Sequence, residues 1–306
     1  MAALVIRFSS LGDVVLASAI TPGLQSVVFA THARYAALVA RFQGVHEVVG
    51  LAPGEGLRSF AARLPPTEWT VDLHANLRSR LLTRRLRGPV SRVDKLPVTR
   101  RLRVALKTPP RIPTVLSRYA DAAGVRVAQR PWIPIPRVER PDALVLVPGA
   151  SHPTKAWPLF RYQAVADRWD GPLFALGSLA EDPLLRKLWK ATAGRVVPVA
   201  EQGFERTLHV LERAAVVVGG DTGLVHLAAA CGVPVVGLFG PTHSADGFWD
   251  HPGQAVEVEL ACRPCSLHGG ESCPIGDHAC LRQLSVGEVW SAVREVLADV
   301  QRSAVS

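Results

Sequence analysis

The sequence predicts an α/β protein built from two doubly wound parallel-sheet units. Three observations carry the prediction. The 306 residues amount to about two common domain lengths. Apolar runs of strand length alternate with helical segments along the chain. One proline-rich stretch interrupts the alternation, which then restarts. At 48% hydrophobic residues there is material for two cores, and 20% charged residues is too few for a disordered chain.

In chain order, Leu4–Phe8 reads as a strand and Ser9-Ser10-Leu11-Gly12-Asp13 as a glycine-containing turn. The periodic stretch from Val14 to about Leu24 reads as a helix. Val27–Ala30, Val45–Leu51 and Thr70–Leu73 are further strands, with a helix over Ala33–Arg41. Pro131-Trp132-Ile133-Pro134-Ile135-Pro136 and Pro141 mark a linker, because repeated proline continues neither a helix nor a central strand. Domains are therefore expected over residues 1–140 and 141–306. In the second, strands at Ala143–Val147, Leu173–Leu176, Val196–Val199, Ala215–Val218 and Val235–Phe239 alternate with four helices. These lie near Leu159–Trp169, Pro183–Ala193, Glu205–Arg213 and Leu224–Cys231. Val286, Val289, Trp290, Val293, Val296, Leu297 and Val300 recur at spacings of three and one, which predicts an amphipathic helix over 286–300. No apolar run approaches the ~18 residues of a membrane span. The N-terminal residues carry no basic region and Arg7 interrupts their apolar run, so no secretory leader is expected and the expected compartment is the cytoplasm.

The net charge of +9 belongs to one segment. Residues 78–118 hold 13 Lys or Arg against a single acid, Asp94, whereas the remainder has 22 basic and 25 acidic residues. Such a segment suits nucleic acid, an anionic membrane surface or an anionic substrate, or is a solvated arginine-rich face. Nucleic acid is not expected, since the segment has no interleaved aromatics and no recognised binding module.

Three turns follow predicted strands and open helices, where open α/β sheets bind ligands. In the first, Gly12 permits close backbone approach, and Asp13 reads either as a helix cap or as a catalytic base. The G-x-G-x-x-G dinucleotide fingerprint is absent there. The second is Pro148-Gly149-Ala150-Ser151 with Lys155 behind it. Gly149 and Ser151 offer donors and Lys155 a point charge suited to a diphosphate; the alternative is an ordinary loop with a solvated lysine. The third is Gly219-Gly220-Asp221-Thr222-Gly223-Leu224-Val225-His226. Free N–H groups at a helix start bind phosphate. Asp221 is placed to cap that helix, to bind a sugar hydroxyl, or both, and His226 reads as a packed histidine. Thr242, in Phe239-Gly240-Pro241-Thr242, is either a hydroxyl donor to phosphate or a loop cap.

Cys262, Cys265, Cys273 and Cys280 cluster in sequence, with His268 and His278 between them. Four thiolates at such spacings suit a structural zinc, and reduced unliganded thiols are the other reading. Cys231 reads as a small core residue.

Arg7-Phe8-Ser9-Ser10-Leu11-Gly12-Asp13, Pro148-Gly149-Ala150-Ser151 with Lys155-Ala156-Trp157-Pro158, Gly220-Asp221-Thr222-Gly223-Leu224-Val225-His226 and Leu238-Phe239-Gly240-Pro241-Thr242 stand in this order along the chain. Together they resemble the motifs of glycosyltransferase family 9, the ADP-heptose:lipopolysaccharide heptosyltransferases. Asp72-Leu73-His74-Ala75-Asn76-Leu77-Arg78-Ser79 resembles a weaker motif of the same family. The resemblance implies a GT-B fold, two Rossmann-like domains facing across a cleft, with the helix over 286–300 crossing back to the N-terminal domain. It implies an inverting, metal-independent transfer of heptose from ADP-heptose to the lipopolysaccharide inner core, with no cofactor required for catalysis. Asp13 would be the general base. Lys155 and the helix opened by Asp221, Thr222 and Gly223 would stabilise the leaving diphosphate. Ser151, Thr154, Glu181, His226 and Thr242 would complete the donor site. The N-terminal domain would hold the acceptor through Ser10, Gly12, Asn76 and Arg78. The basic segment would meet the anionic acceptor and membrane, placing the protein peripherally at the inner face of the inner membrane. The absence of an Asp-x-Asp motif agrees with a metal-free mechanism. Alternatives are a family 9 enzyme with another nucleotide-sugar or acceptor, a basic nucleic-acid-binding protein, and a nucleotide-dependent oxidoreductase, against which the missing glycine fingerprint argues.

Overall fold

The computed structural model describes residues 2–107, 112–126, 130–201, 203–244 and 252–305. The chain forms two compact units, one of residues 1–96 with 113–134, the other of residues 97–112 with 135–306. The passage between them falls at Pro134 and Ile135, inside the proline-rich stretch. Arg111 of the basic segment lies outside the described residues.

The first unit alternates strand and helix: β1 (Ala2–Ile6), α1 (Leu11–Leu16), β2 (Ser26–His32), α2 (Ala36–Val39), β3 (Val45–Leu51), α3 (Leu57–Arg63), β4 (Trp69–Asp72), α4 (Leu77–Thr83) and β5 (Val90–Arg92). The next helix, α5 (Pro97–Leu106), belongs to the second unit, and α6 (Val115–Ala123) returns to the first. The sheet is parallel throughout, in the order β3-β2-β1-β4-β5. Leu4, Ile6 and Phe8 pack with Val28, Ala30, Val49 and Leu51 beneath Phe60 and Leu82 of α3 and α4.

The helix expected from Val14 to Leu24 is shorter than its apolar period. It stops at Leu16 and gives way to two 3₁₀ turns, Ala17–Ala19 and Thr21–Gly23. Pro22 has no N–H to continue the ladder, and Ser18 and Thr21 turn their hydroxyls back onto the carbonyls of Val15 and Ser18.

The second unit runs β6 (Ala143–Val147), α7 (Leu159–Ala166), β7 (Leu173–Ser178), α8 (Asp182–Ala191), β8 (Val196–Glu201), α9 (Glu205–Glu212), β9 (Ala214–Gly220), α10 (Gly223–Ala230), β10 (Val235–Phe239), β11 (Gly253–Glu257), α11 (Ala279–Arg282) and α12 (Val286–Val305). Its parallel sheet has the order β11-β10-β9-β6-β7-β8. Every residue of β6 and β10 is buried, as parallel strands covered on both faces must be. Leu144, Leu146, Val216, Val218, Val236 and Leu238 face a core closed by Trp157, Tyr162 and the α12 residues Val289, Val293 and Val296. Trp157 and Arg161 fasten this side further, donating to the carbonyl of Leu284. Arg137 ties the end of the linker to the unit through the carbonyls of Leu211 and Ala214, at 2.6 and 2.8 Å.

Both strand orders reverse direction once, between β1 and β4 and between β6 and β9. In doubly wound sheets these reversals open a crevice at the carboxyl ends of the strands, where ligands bind. Both units are thus Rossmann-like, as in the GT-B class. No described helix is long and apolar enough to cross a membrane.

Candidate active site

The loops after β1 and β4 flank the reversal in the first unit. Ser10 is the N-cap of α1, and Asp13, three residues on, is its capping-box partner, so the capping reading of Asp13 holds in that form. Ser10 Oγ and the Ser10 N–H donate to Asp13 Oδ2 at 2.8 and 3.3 Å. Arg7, buried at the end of β1, places one guanidinium nitrogen 2.5 Å from the same oxygen and another 2.6 Å from the carbonyl of Leu73. Tyr119 of α6 donates its hydroxyl to Asp13 Oδ1 at 3.4 Å and lies 5.9 Å beneath the Arg7 guanidinium. Burial pushes the Asp13 carboxyl up, but the Arg7 charge and the hydrogen bonds from Ser10 and Arg7 outweigh it and hold the group below the ordinary aspartate range. Burial drives the Tyr119 phenol far above its usual value, so it stays protonated and a donor. Asp13 is therefore an ionised, doubly oriented carboxylate with its second oxygen weakly engaged.

On the other side of the reversal, the buried Asp72 carboxylate accepts from the N–H groups of His74 and Ala75 and from Ser79 Oγ, at 3.1, 2.8 and 2.9 Å. It shapes the 73–76 turn in which Ala75 takes a positive φ of 44°. Asn76 caps α4, accepting from the Ser79 N–H at 2.9 Å. Arg78 is exposed on the same turn, and Gly12 is buried beside Asp13. Burial and the nearby Arg7 push His74 down to about 4, so it is neutral. Its Nδ1 is buried with no hydrogen-bond partner among the described residues.

In the second unit, the loops after β6 and β9 flank the corresponding reversal. Gly219 closes β9 onto β6: a Cβ there would meet Val147 Cβ at 2.7 Å and Val225 Cγ2 at 2.8 Å. That contact brings Lys155, at the end of the β6 loop, to Asp221 before α10, with Nζ 2.5 Å from Oδ2. Thr242, after β10, donates to the same oxygen at 3.2 Å, and His226 Nε2 lies 3.4 Å from Oδ1. Thr222 caps α10, and its Oγ1 is buried without a hydrogen-bond partner among the described residues. Gly223 begins the helix. A buried cation, an unengaged hydroxyl and the free N–H groups of a helix start make this edge suited to an anion.

The other expected donor residues occupy supporting positions. Thr154 Oγ1 donates to the Gly270 carbonyl and accepts from its N–H, at 2.9 and 2.8 Å, which fixes the 266–270 loop beside Lys155. Glu181 accepts from Ser178 N–H and Oγ, and its other oxygen overlies Gly149, where a Cβ would fall 1.9 Å away. Ser151 is exposed.

Cys262, Cys265, Cys273 and Cys280 are free thiols. Among the described residues no three His, Cys, Asp or Glu side chains form a set placed to hold a metal ion, although burial with the nearby Cys262 and Cys273 raises the Cys265 thiol, and burial with the nearby Cys265 and Cys262 raises that of Cys280. The segment has a different visible task. Arg263, between the first two cysteines, is buried, and its guanidinium donates to the carbonyls of Gly240, Val258 and Thr242 while pairing with Glu257 at 2.6 Å. The Cys265 N–H adds a bond to the Pro241 carbonyl at 3.0 Å. Arg263 therefore holds the loop that presents Thr242. Neither Arg263 nor Tyr119 stood out in the sequence: one was hidden by its cysteines, and the other is joined to Asp13 only by the fold; Arg7 headed the first motif without a role toward Asp13 being read from it.

Residues 112–268 match glycosyltransferase family 9 (heptosyltransferase). Lipooligosaccharide heptosyltransferase 2 of Campylobacter jejuni is 26% identical over 165 residues, 50% of this chain and 50% of that protein. Lipopolysaccharide heptosyltransferase 1 of Pseudomonas aeruginosa is 33% identical over 130 residues, 40% of this chain and 36% of that protein. The chain thus spans at most about half the length of these curated relatives. The structure of Escherichia coli heptosyltransferase WaaC with ADP superposes with a TM-score of 0.72 at 17% identity, covering 97% of this chain and 100% of that one. With its motifs at both sheet reversals and the match extending over half its length, the chain belongs to glycosyltransferase family 9.

Proposed function

We propose that this chain transfers heptose from ADP-heptose to the inner core of lipopolysaccharide, by an inverting displacement that needs no metal. The observation that carries the reading is the anion site of the second unit, where the buried Lys155 and Thr242 and the half-buried Asp221 and Thr222 converge on the start of α10. The family and the ADP named in the WaaC structure support a nucleoside diphosphate as the group received there.

In this reading the acceptor hydroxyl gives its proton to Asp13 as its oxygen bonds to the anomeric carbon from the face opposite the diphosphate. The bond from that carbon to the diphosphate oxygen breaks, and ADP leaves with the electron pair. Arg7 and Tyr119 keep Asp13 ionised and aimed. Lys155, the Thr222 hydroxyl and the N–H groups of α10 meet the charge that grows on the leaving oxygen. Thr154, Glu181 and Arg263 hold the surrounding loops. Ser10, Gly12, Asn76, Arg78 and neutral His74 line the acceptor side. The acceptor is a lipid-borne, anionic saccharide, met at an anionic membrane surface by the basic segment.

Titration calorimetry with ADP, with UDP and NAD as controls, tests the donor half. Selective ADP binding is expected, weakened about 10–100-fold in Lys155→Ala, the equivalent of a hydrogen bond to a charged group. UDP preference would keep the mechanism and replace the sugar donor, whereas an unchanged dissociation constant in Lys155→Ala would remove that residue from the site.

A further inference from the structure

One helix of the second unit is packed inside out. Val98, Leu102 and Leu106 of α5 stand four residues apart and share a stripe, yet they are 67%, 53% and 66% exposed, while Arg103 is 5% exposed. In a helix folded against its own core the apolar stripe faces inward. The rotation is fixed at the C-terminal end, where Lys107 Nζ donates to the Pro264 carbonyl at 3.0 Å. The helix is about 15 Å long and is bordered by Lys95, Arg100, Arg101 and Lys107, with Asp94 the only acid between residues 78 and 118.

We propose that α5 is a docking helix for an anionic lipid bilayer. It would lie in the headgroup layer with Val98, Leu102 and Leu106 at the acyl boundary and the exposed Arg101 beside them among the phosphates. A short convex aliphatic stripe between cations has the composition of an interfacial helix. Charge complementarity selects lipid over a second copy, because two such helices would set arginine against arginine. The inference rests on the lipid-acceptor reading above and deepens it by naming the surface that meets the membrane.

Sedimentation of the full chain with phosphatidylglycerol–phosphatidylcholine vesicles, and with phosphatidylcholine alone, tests it without any sugar donor. Binding to the mixed vesicles only is expected, falling as salt is raised. Val98→Ser/Leu102→Ser/Leu106→Ser is expected to lower partitioning at least tenfold, and Arg101→Gln about fivefold, from the roughly 1 kcal/mol that a cation gains at an anionic surface. ADP binding, measured in parallel, should be unchanged in both, so failure of the donor site and failure of the docking surface read out separately. Equal binding to both vesicle types, or wild-type partitioning by the triple serine variant, would overturn the proposal. So would a wild-type dimer that the triple variant dissociates, which makes a second copy the occupant. Leu102→Trp guards against misfolding of the triple variant: its added emission should shift to the blue with mixed vesicles, and an unshifted spectrum counts against insertion.

Discussion

Asp13 shows how a buried carboxylate is kept ionised. Burial alone would raise it, and the Arg7 guanidinium with the Ser10 donors reverses the sign. A carboxylate held low remains ionised as pH falls, so the base of the proposed mechanism is present through the neutral and mildly acidic range. In Arg7→Met burial is no longer opposed by that charge and the carboxyl rises. The acid limb of kcat/KM is therefore expected at higher pH in Arg7→Met than in wild type, while Asp13→Asn should lose about 10²–10⁴-fold at every pH. Coincident limbs would release Arg7 from control of Asp13. Linkage runs the same way. The Arg7–Asp13 pair stabilises the fold above the unfolded carboxylate pKa, and that contribution is lost as pH falls through the lower folded value. The stability gap between wild type and Arg7→Met in urea titrations should accordingly narrow in acid.

At the scale of elements, the site is made by loops whose shape is set from behind. Gly149 admits the Glu181 carboxylate, and Arg263 gathers the carbonyls of Gly240 and Thr242. Removing Arg263 leaves buried carbonyls and Glu257 without their partner, so Arg263→Met should cost about 3 kcal/mol in urea unfolding and weaken ADP binding about tenfold through a displaced Thr242. Undiminished ADP affinity in a destabilised variant would make Arg263 a purely structural residue. Those loops were legible in the sequence where strand, turn and helix follow in register, as at Gly12-Asp13, Gly149 to Lys155 and Asp221 to Gly223. Other elements were not. The helices α4, α5 and α6 lie in a segment whose arginines hide the 3.6-residue period, and in α5 the period points outward. Tyr119 reaches Asp13 from 106 residues away along the chain, a partnership that no local spacing encodes. Arg263 stands between two of the cysteines, and nothing in that spacing marks it as the residue that gathers the loop carbonyls.

For the whole molecule, the same doubly wound plan is used twice, with different chemistry at each reversal. The first unit sets an ionised carboxylate among cations and neutral hydrogen-bonding groups; the second sets a buried lysine and free helix N–H groups. In the proposed mechanism the diphosphate is met in the second unit and the acceptor hydroxyl by the carboxylate of the first. Saturating ADP should therefore protect amides unequally in hydrogen exchange. The largest protection is expected at 149–155, at the first turn of α10 and at 240–242, with smaller changes at 9–13. At a hundredfold excess over Kd the ligand adds about 2.7 kcal/mol to whatever unfolding exposes its site, and that increment should fall to about 0.4–1.4 kcal/mol in Lys155→Ala at the same concentration. Protection centred on 9–13 and 73–76 instead would reverse the roles of the two units. The pairing of Asp13 with an acceptor hydroxyl would then have to be abandoned, because a base already occupied by the diphosphate side could not receive the proton on which the displacement depends.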